Sequence, residues 1–156
     1  MQINSGMPTD ARQLVGEKLA HLLADLYIIY VQTQNFHWNL VGKEFYSLHL
    51  LLEKQYQDLS LVIDELAERI RALGLHVDGS LAGFQSLSSI REPRLVMPIP
   101  DALEHLLTNQ EVVVRHARQV GSLADNHADH ATVDFIGRLL GLLEKSGWMV
   151  RSQLES

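Results

Sequence analysis

Apolar residues recur at intervals of three and four along most of the chain, which is the spacing of one face of an α-helix. The most regular run predicts a helix over about residues 44–73. Its apolar stripe consists of Phe45, Leu48, Leu52, Tyr56, Leu59, Ile63, Leu66, Ile70 and Leu73. Gly74 is the expected end of this helix, because glycine readily takes the left-handed conformation that follows a last helical turn.

The same spacing predicts three further long helices. The first covers about residues 9–40, with Thr9 or Asp10 as its N-terminal cap. The next opens at Asp101 after two prolines, and a polar hinge separates it from a last helix over about residues 131–154. The inward positions expected in these helices are Leu19, Leu22, Leu26, Ile29, Phe36, Leu40, Leu103, Leu106 or Leu107, Val113 or Val114, Ala117, Val120, Ala124, Phe135, Leu139, Leu143 and Val150.

The connection between the second and third long helices, residues 74–100, is rich in glycine, proline and serine. A crossover of this length lets those two helices run parallel, and we expect a short helix within it, near residues 80–87 or 87–90. The predicted fold is therefore all-α, a ferritin-like four-helix bundle with a short extra helix in the long crossover. By length, residues 1–156 are expected to form one domain, with residues 1–8 as a short polar tail.

Charge and composition narrow the possible functions. The net charge of −6 argues against a broad nucleic-acid-binding face. The absence of cysteine excludes disulfides and thiolate ligands, so a metal would be held by His, Asp and Glu, a set that suits zinc, iron or manganese. We see neither a signal peptide nor an apolar run long enough to span a membrane, and we expect a cytoplasmic protein.

Two groups of candidate metal ligands lie on the first two long helices. His37, followed by Trp38, precedes His49 by twelve residues, and Asp64 and Glu68 are one helical turn apart. Each group also has an interpretation without a metal: the histidines could be ordinary half-buried residues, and the carboxylates could be solvated residues on an exposed helix face. Along one helix His49 and Asp64 are about 22 Å apart, since each residue rises 1.5 Å. They either belong to unrelated sites or meet across a two-fold axis between antiparallel copies of the second helix.

The segments NFHWNLVGKEFYSLHLLLEKQY and IDELAERIRALG resemble the ferroxidase motif of the Dps family, the mini-ferritins named as DNA-binding proteins from starved cells. The likeness includes the His-Trp pair, the Phe-x-x-x-His of Phe45 to His49 and the Asp-Glu-x-x-Glu-Arg of Asp64 to Arg69. Near the other end, GLLEKSGWMVRSQL is similar to the last helix of the family, usually written EKHxWML. Ser146-Gly147 departs from that pattern.

The resemblance implies hollow shells of twelve subunits with tetrahedral symmetry, which oxidise Fe(II), preferably with hydrogen peroxide, and store the Fe(III) mineral inside. It implies ferroxidase centres at two-fold dimer interfaces, with His37 and His49 from one subunit and Asp64 and Glu68 from its partner. Trp38 resembles the aromatic residue that absorbs stray oxidising equivalents in the family, although it could also be a core or interface aromatic. Zinc could substitute for iron on these ligands.

Further expectations concern the junction of the last two helices and the loop after Gly74. In the family this junction lines acidic three-fold pores that admit Fe(II), which would place Asp125, Asp129 and Asp134 at a pore. The alternative is helix capping and solvation, above all for Asp129. His76 would be either an extra iron ligand or an ordinary loop histidine.

DNA binding is expected to be weak or absent, despite the name of the family. The first twenty residues contain only Arg12 and Lys18 as basic residues, and the net charge is negative. Binding by counterion release would be weak for such a surface. The alternative function is a non-catalytic helical shell that compacts DNA or binds a metal.

Overall fold

The computed structural model describes residues 3–90, 92 and 97–155, and the regular structure in that part of the chain is entirely helical. The helices are α1 (Thr9–Asn39), α2 (Phe45–Ala72), α3 (Leu81–Leu87), α4 (Ile99–Asn126) and α5 (His130–Leu154). The predicted bundle with a short helix in its long crossover is confirmed. Residues 1, 2, 91, 93–96 and 156, which belong to the predicted domain, lie outside the described residues.

Two helical hairpins build the bundle. Helix α1 packs along α2 and also against α4, while α4 packs along α5. Contact between α2 and α5 is the least extensive of the helix pairings. The core contains all the predicted inward positions of α1, α4 and α5 and most of those of α2, namely Leu19, Leu22, Leu26, Ile29, Phe36, Leu40, Leu48, Leu52, Leu59, Leu66, Ile70, Leu73, Leu103, Leu106, Val113, Ala117, Val120, Ala124, Phe135, Leu139, Leu143 and Val150.

The start of α1 differs from the prediction. Pro8 is the N-cap residue, and no side chain caps the helix, so a capping role for Thr9 or Asp10 is wrong. The Thr9 hydroxyl instead accepts a hydrogen bond from Arg12 at 3.0 Å, and the Asp10 carboxylate accepts from the amide of Ala11 at 2.9 Å. The carbonyl of Pro8 accepts the first helical bond, which moves the cap one residue earlier than expected.

Gly74 ends the hairpin's second helix as predicted. Its φ of +98° is in the left-handed region, and its amide donates to the carbonyl of Arg71 at 2.9 Å. The guanidinium of Arg12 closes the same helix end by donating to the carbonyl of Leu73 at 3.1 Å. Arg12 also donates to the carbonyl of Met7, which packs against the core. The segment predicted as a polar tail is therefore attached to the bundle at Met7.

The crossover helix lies at the first of the two positions considered from the sequence. Ser80 is its N-cap and accepts from the amide of Gly83 at 3.0 Å, which places the short helix at Leu81–Leu87 rather than over residues 87–90. At the next boundary α4 begins at Ile99, two residues before Asp101, because proline is tolerated in a first helical turn. The predicted polar hinge is shorter than expected, since only residues 127–129 separate α4 from α5.

A buried carboxylate fastens the crossover to the bundle. Asp25 of α1 is fully buried and accepts from both hydroxyls and one amide of Ser88 and Ser89, at 2.7–2.9 Å, and from Nδ1 of His116 at 2.8 Å. Burial raises the pKa of Asp25, but the hydrogen bonds from His116, Ser89 and Ser88 outweigh it and hold that pKa below its usual value. The carboxylate therefore links α1, the crossover and α4.

Candidate metal centre

His37 and His49 lie side by side where α1 and α2 meet. Their rings stack with centroids 3.8 Å apart and planes at 17°. Nδ1 of His37 is 2.9 Å from the carbonyl oxygen of His49, and Nδ1 of His49 is 3.0 Å from the carbonyl oxygen of His37. Because a carbonyl oxygen only accepts, Nδ1 must carry the hydrogen in both rings. In the neutral imidazoles both Nε2 atoms are then unprotonated and available to a metal.

Two aromatic side chains hold the histidine pair. The ring of Tyr56 meets that of His37 edge-on at 5.2 Å, and the ring of Phe45 lies 5.1 Å from that of His49. Phe45 was expected in the core but is 37% exposed, because it is the first residue of α2, at one end of the bundle. Tyr56 and Ile63, also in the predicted stripe, are half-buried. Packing therefore limits the orientations open to both imidazoles.

The carboxylates Asp64 and Glu68 are exposed on α2, far from this pair. His49 and Asp64 belong to one continuous helix, so they are about 22 Å apart along its axis. Within residues 3–90, 92 and 97–155, no three His, Asp or Glu side chains come close enough together to hold a metal ion. The structure thus brings the two histidines together and leaves the two carboxylates elsewhere on the surface. The full set of four ligands stays a prediction.

Beside Glu68, Arg69 connects α2 to the start of α5. Its guanidinium forms an ion pair with Asp129 and donates to the hydroxyl of Thr132 at 2.9 Å. Asp129 is 5% exposed and caps α5 by accepting from the amide of Thr132 at 3.1 Å. Burial raises the pKa of Asp129, but the bonds from Arg69 and Thr132 outweigh it and lower that pKa. Asp129 therefore has the capping role, the alternative raised from the sequence, while its place at a pore stays a prediction.

Spacing along α2 does not predict the contacts of Arg69 with Asp129 and Thr132. Its partners are sixty or more residues away in the chain, beyond the reach of local spacing. The other two acidic residues of the junction, Asp125 and Asp134, are exposed, and Asp134 pairs with Arg138 at 3.2 Å. Their pore role stays a prediction.

Trp38 and His76 are both exposed. Trp38 is 66% exposed although it follows the buried His37, so its alternative role as a core aromatic is wrong for the single chain. Its roles in oxidation chemistry or at an interface stay predictions, as does the role of His76.

No helix in the described part of the chain has the length and apolar character needed to cross a bilayer.

Comparisons with known proteins agree with this architecture. The ferritin-like domain model matches residues 16–156. A low temperature-induced protein of Nostoc sp. is 36% identical, with 99% of this chain and 87% of that protein covered. The DNA protection during starvation protein of Brevibacillus brevis is 32% identical, with 96% of this chain and 100% of that protein covered.

Comparison with a solved structure shows that the similarity to Dps proteins extends to the three-dimensional fold. The crystal structure of the Dps protein from Vibrio cholerae O1, a member of a broad superfamily of ferritin-like diiron-carboxylate proteins, has a TM-score of 0.93 and 31% identity. The match covers 99% of this chain and 98% of that one. The chain belongs to the Dps family of the ferritin-like superfamily.

Proposed function

We propose that the protein is a ferroxidase and iron-storage mini-ferritin that oxidises Fe(II), preferably with hydrogen peroxide, at sites shared between subunits. The observation that carries the proposal is the reciprocal bonding of His37 and His49, which leaves both Nε2 atoms free as ligands. The stacking of this pair in a ferritin-like chain supports its assignment as half of a metal site. The other half consists of Asp64 and Glu68, in a second copy of the chain.

A two-fold axis supplies the missing half. An isologous dimer repeats every contact, so a site that joins His37 and His49 to the partner's Asp64 and the partner's Glu68 occurs twice in each pair. The separation of about 22 Å along α2 supports this arrangement, because it prevents the same ligands from meeting within one chain. The exposed Trp38, next to His37, would then lie at or near the dimer interface.

The donor set suits iron as the substrate. Imidazole nitrogens retain affinity for Fe(II), and carboxylate oxygens are hard ligands that favour Fe(III). Hydrogen peroxide takes one electron from each of two Fe(II) ions and, with two protons, yields two molecules of water. This reaction consumes peroxide without releasing hydroxyl radical. Zn(II) accepts the same ligands and should compete with Fe(II).

The proposed assembly is a hollow shell of twelve subunits with tetrahedral symmetry, and the Fe(III) mineral is stored inside it. Asp125 and Asp134 would line its pores, and His76 would be an additional ligand near the carboxylates. DNA binding is proposed to be weak, because the chain carries a net charge of −6 and phosphate contacts need a basic surface. Tight, stoichiometric complexes in a gel shift at low salt would contradict this part of the proposal.

The test is anaerobic loading with Fe(II) followed by hydrogen peroxide, monitored by Fe(III) absorbance, with the subunit count taken from light scattering. His49→Ala should slow oxidation by about tenfold to a hundredfold, since it removes a ligand and the donor to the carbonyl of His37. His130→Ala is the matched control, because His130 is an exposed histidine away from the pair. If the intact assembly oxidises Fe(II) no faster than a solution without protein, the ferroxidase proposal is wrong. The alternative is then a non-catalytic shell that compacts DNA or binds a metal.

A further inference from the structure

A cavity of about 720 Å³ lies between α2 and α5, where the bundle has its least extensive helix contact. None of the proposed iron ligands lines it. Its apolar walls are formed by five leucines and Met149, and two of these leucines, Leu59 of α2 and Leu143 of α5, are buried. Its volume is in the range of pockets that enclose small organic molecules, about 300–1,000 Å³.

The floor of the cavity contains a polar group that lacks a partner. Gln110 of α4 lines the cavity and is only 1% exposed. Its Nε2 donates to the hydroxyl of Ser146 at 3.1 Å and to Oε1 of Gln55 at 3.4 Å, whereas its own Oε1 accepts no hydrogen bond. A buried carbonyl oxygen without a donor is unfavourable. Because this oxygen is itself buried, an occupant with an N–H or O–H group would satisfy it after a small movement of the Gln110 side chain.

The rim of the cavity is positively charged, in contrast to the acidic chain as a whole. Lys54 of α2 and Lys145 of α5 are exposed lining residues on opposite walls. Asp58, the one acidic lining residue, forms an ion pair with Lys54. The lysines therefore exceed the carboxylate by one charge, and Lys145 faces the opening from the wall opposite this pair. An anionic group on an occupant would be favoured there.

We propose that this cavity binds a small amphipathic molecule with an apolar ring body, an anionic group and a hydrogen-bond donor. The apolar walls take the body, the lysines take the anion, and Gln110 accepts from the donor. A helix of a second copy fits less well, because the site is a partly open recess rather than a flat face and its volume suits a small molecule. The site is independent of the proposed iron chemistry.

The probe for the test is 1-anilinonaphthalene-8-sulfonate, which carries an aromatic body, a sulfonate and an N–H. Titration of the assembled native protein should show a single saturable class of fluorescent sites, one in each chain. Gly141→Leu should weaken binding about tenfold or more, since the added side chain takes up space in the cavity. A Cβ at Gly141 meets no atom within 4 Å, so the substitution does not strain the backbone.

Gly137→Leu is the matched control. Gly137 lies one turn earlier on α5, is exposed, and would also place its Cβ in open space, but it does not line the cavity. Both substitutions replace a helical glycine and raise helix propensity alike. Affinity for the probe should fall in Gly141→Leu and stay unchanged in Gly137→Leu.

Two further variants test the polar contacts. Gln110→Met should weaken the anilino probe about fivefold, while leaving the affinity for naphthalene-1-sulfonate, which has no N–H, unchanged. Lys145→Gln should weaken the binding of both probes and reduce the dependence of that binding on salt concentration. Lys18→Gln is the control, because Lys18 is an exposed residue of α1, and it should change neither quantity.

The proposal is overturned by any of three results. Fluorescence that does not saturate, or that Gly137→Leu reduces as much as Gly141→Leu, would show binding to general apolar surface. A changed subunit count in Gly141→Leu, with probe affinity retained, would show that a second copy of the chain covers the groove. Equal losses for both probes in Gln110→Met would show that Gln110 accepts no bond from the ligand.

Discussion

The imidazoles of His37 and His49 each bond the backbone carbonyl of the other residue, at 2.9 and 3.0 Å, while their rings stack 3.8 Å apart. This reciprocity sets the tautomer of both rings with backbone groups alone. Each histidine orients the other, so contacts within the α1–α2 hairpin alone leave both Nε2 atoms unprotonated in the neutral rings. No carboxylate from the same chain takes part among the described residues.

Mixed assemblies provide a direct test of a site shared between subunits. Neither His49→Ala nor Glu68→Gln alone should oxidise Fe(II) efficiently. When the two variants are unfolded, mixed in equal amounts and reassembled, half of the two-fold pairs should contain one chain of each kind. Each mixed pair has one intact site and one doubly altered site, so about a quarter of the wild-type rate should return. A site within one chain would give no recovery.

The capping role of Asp129 predicts a loss of stability. Asp129→Ala removes the cap of α5 and leaves Arg69 and Thr132 without their acceptor, and should lower the free energy of unfolding by about 2–3 kcal/mol. Asp134→Ala is the control, because Asp134 is exposed and pairs only at the surface, and it should cost about 0.5 kcal/mol or less. Urea unfolding measures both, and equal losses would contradict the assignment.

The pKa of Asp25 predicts how stability depends on pH. Its folded pKa lies below the usual value of 3.8, so the folded state binds fewer protons than the unfolded state. The stability contributed by Asp25 is therefore complete above about pH 4 and is lost as the pH falls through the lowered folded pKa. Urea midpoints measured from pH 6 down to pH 3 should fall more gently in Asp25→Asn than in the wild type. Asp10→Asn, at the exposed start of α1, is the control, and its urea midpoints should change with pH as those of the wild type do.

The proposed pore carboxylates predict an effect on iron uptake rather than on oxidation itself. The double variant Asp125→Asn with Asp134→Asn should slow Fe(II) oxidation severalfold at low Fe(II) concentration, because a ring of carboxylates concentrates cations at a pore. High salt should reduce the difference in the rate of Fe(II) oxidation between the double variant and the wild type, because it screens the carboxylates. Glu17→Gln, an exposed carboxylate of α1, is the control. An unchanged stopped-flow rate at low salt would remove both residues from the uptake path.

Local patterns were enough to predict the helices. The three-and-four spacing identified α2, and Gly74 marked its end because the conformational preference of glycine acts within one turn. The sequence also excluded a single site that holds both His49 and Asp64 of one chain, since the fifteen residues between them on a helix set their distance. That conclusion needed only the rise of the helix and no tertiary contact.

The tertiary structure decided the features that depend on residues far apart in the chain. Asp25 meets Ser88, Ser89 and His116 only after the crossover has folded back over α1, and Arg69 meets Asp129 only when α5 packs near α2. A burial energy or an ion pair depends on distance in space, which spacing along one helix does not encode. The sequence by itself thus determined the helices and the separation of the candidate histidines from the candidate carboxylates along α2. Folding decided which histidine nitrogens bond to the backbone, and which aspartates support the bundle.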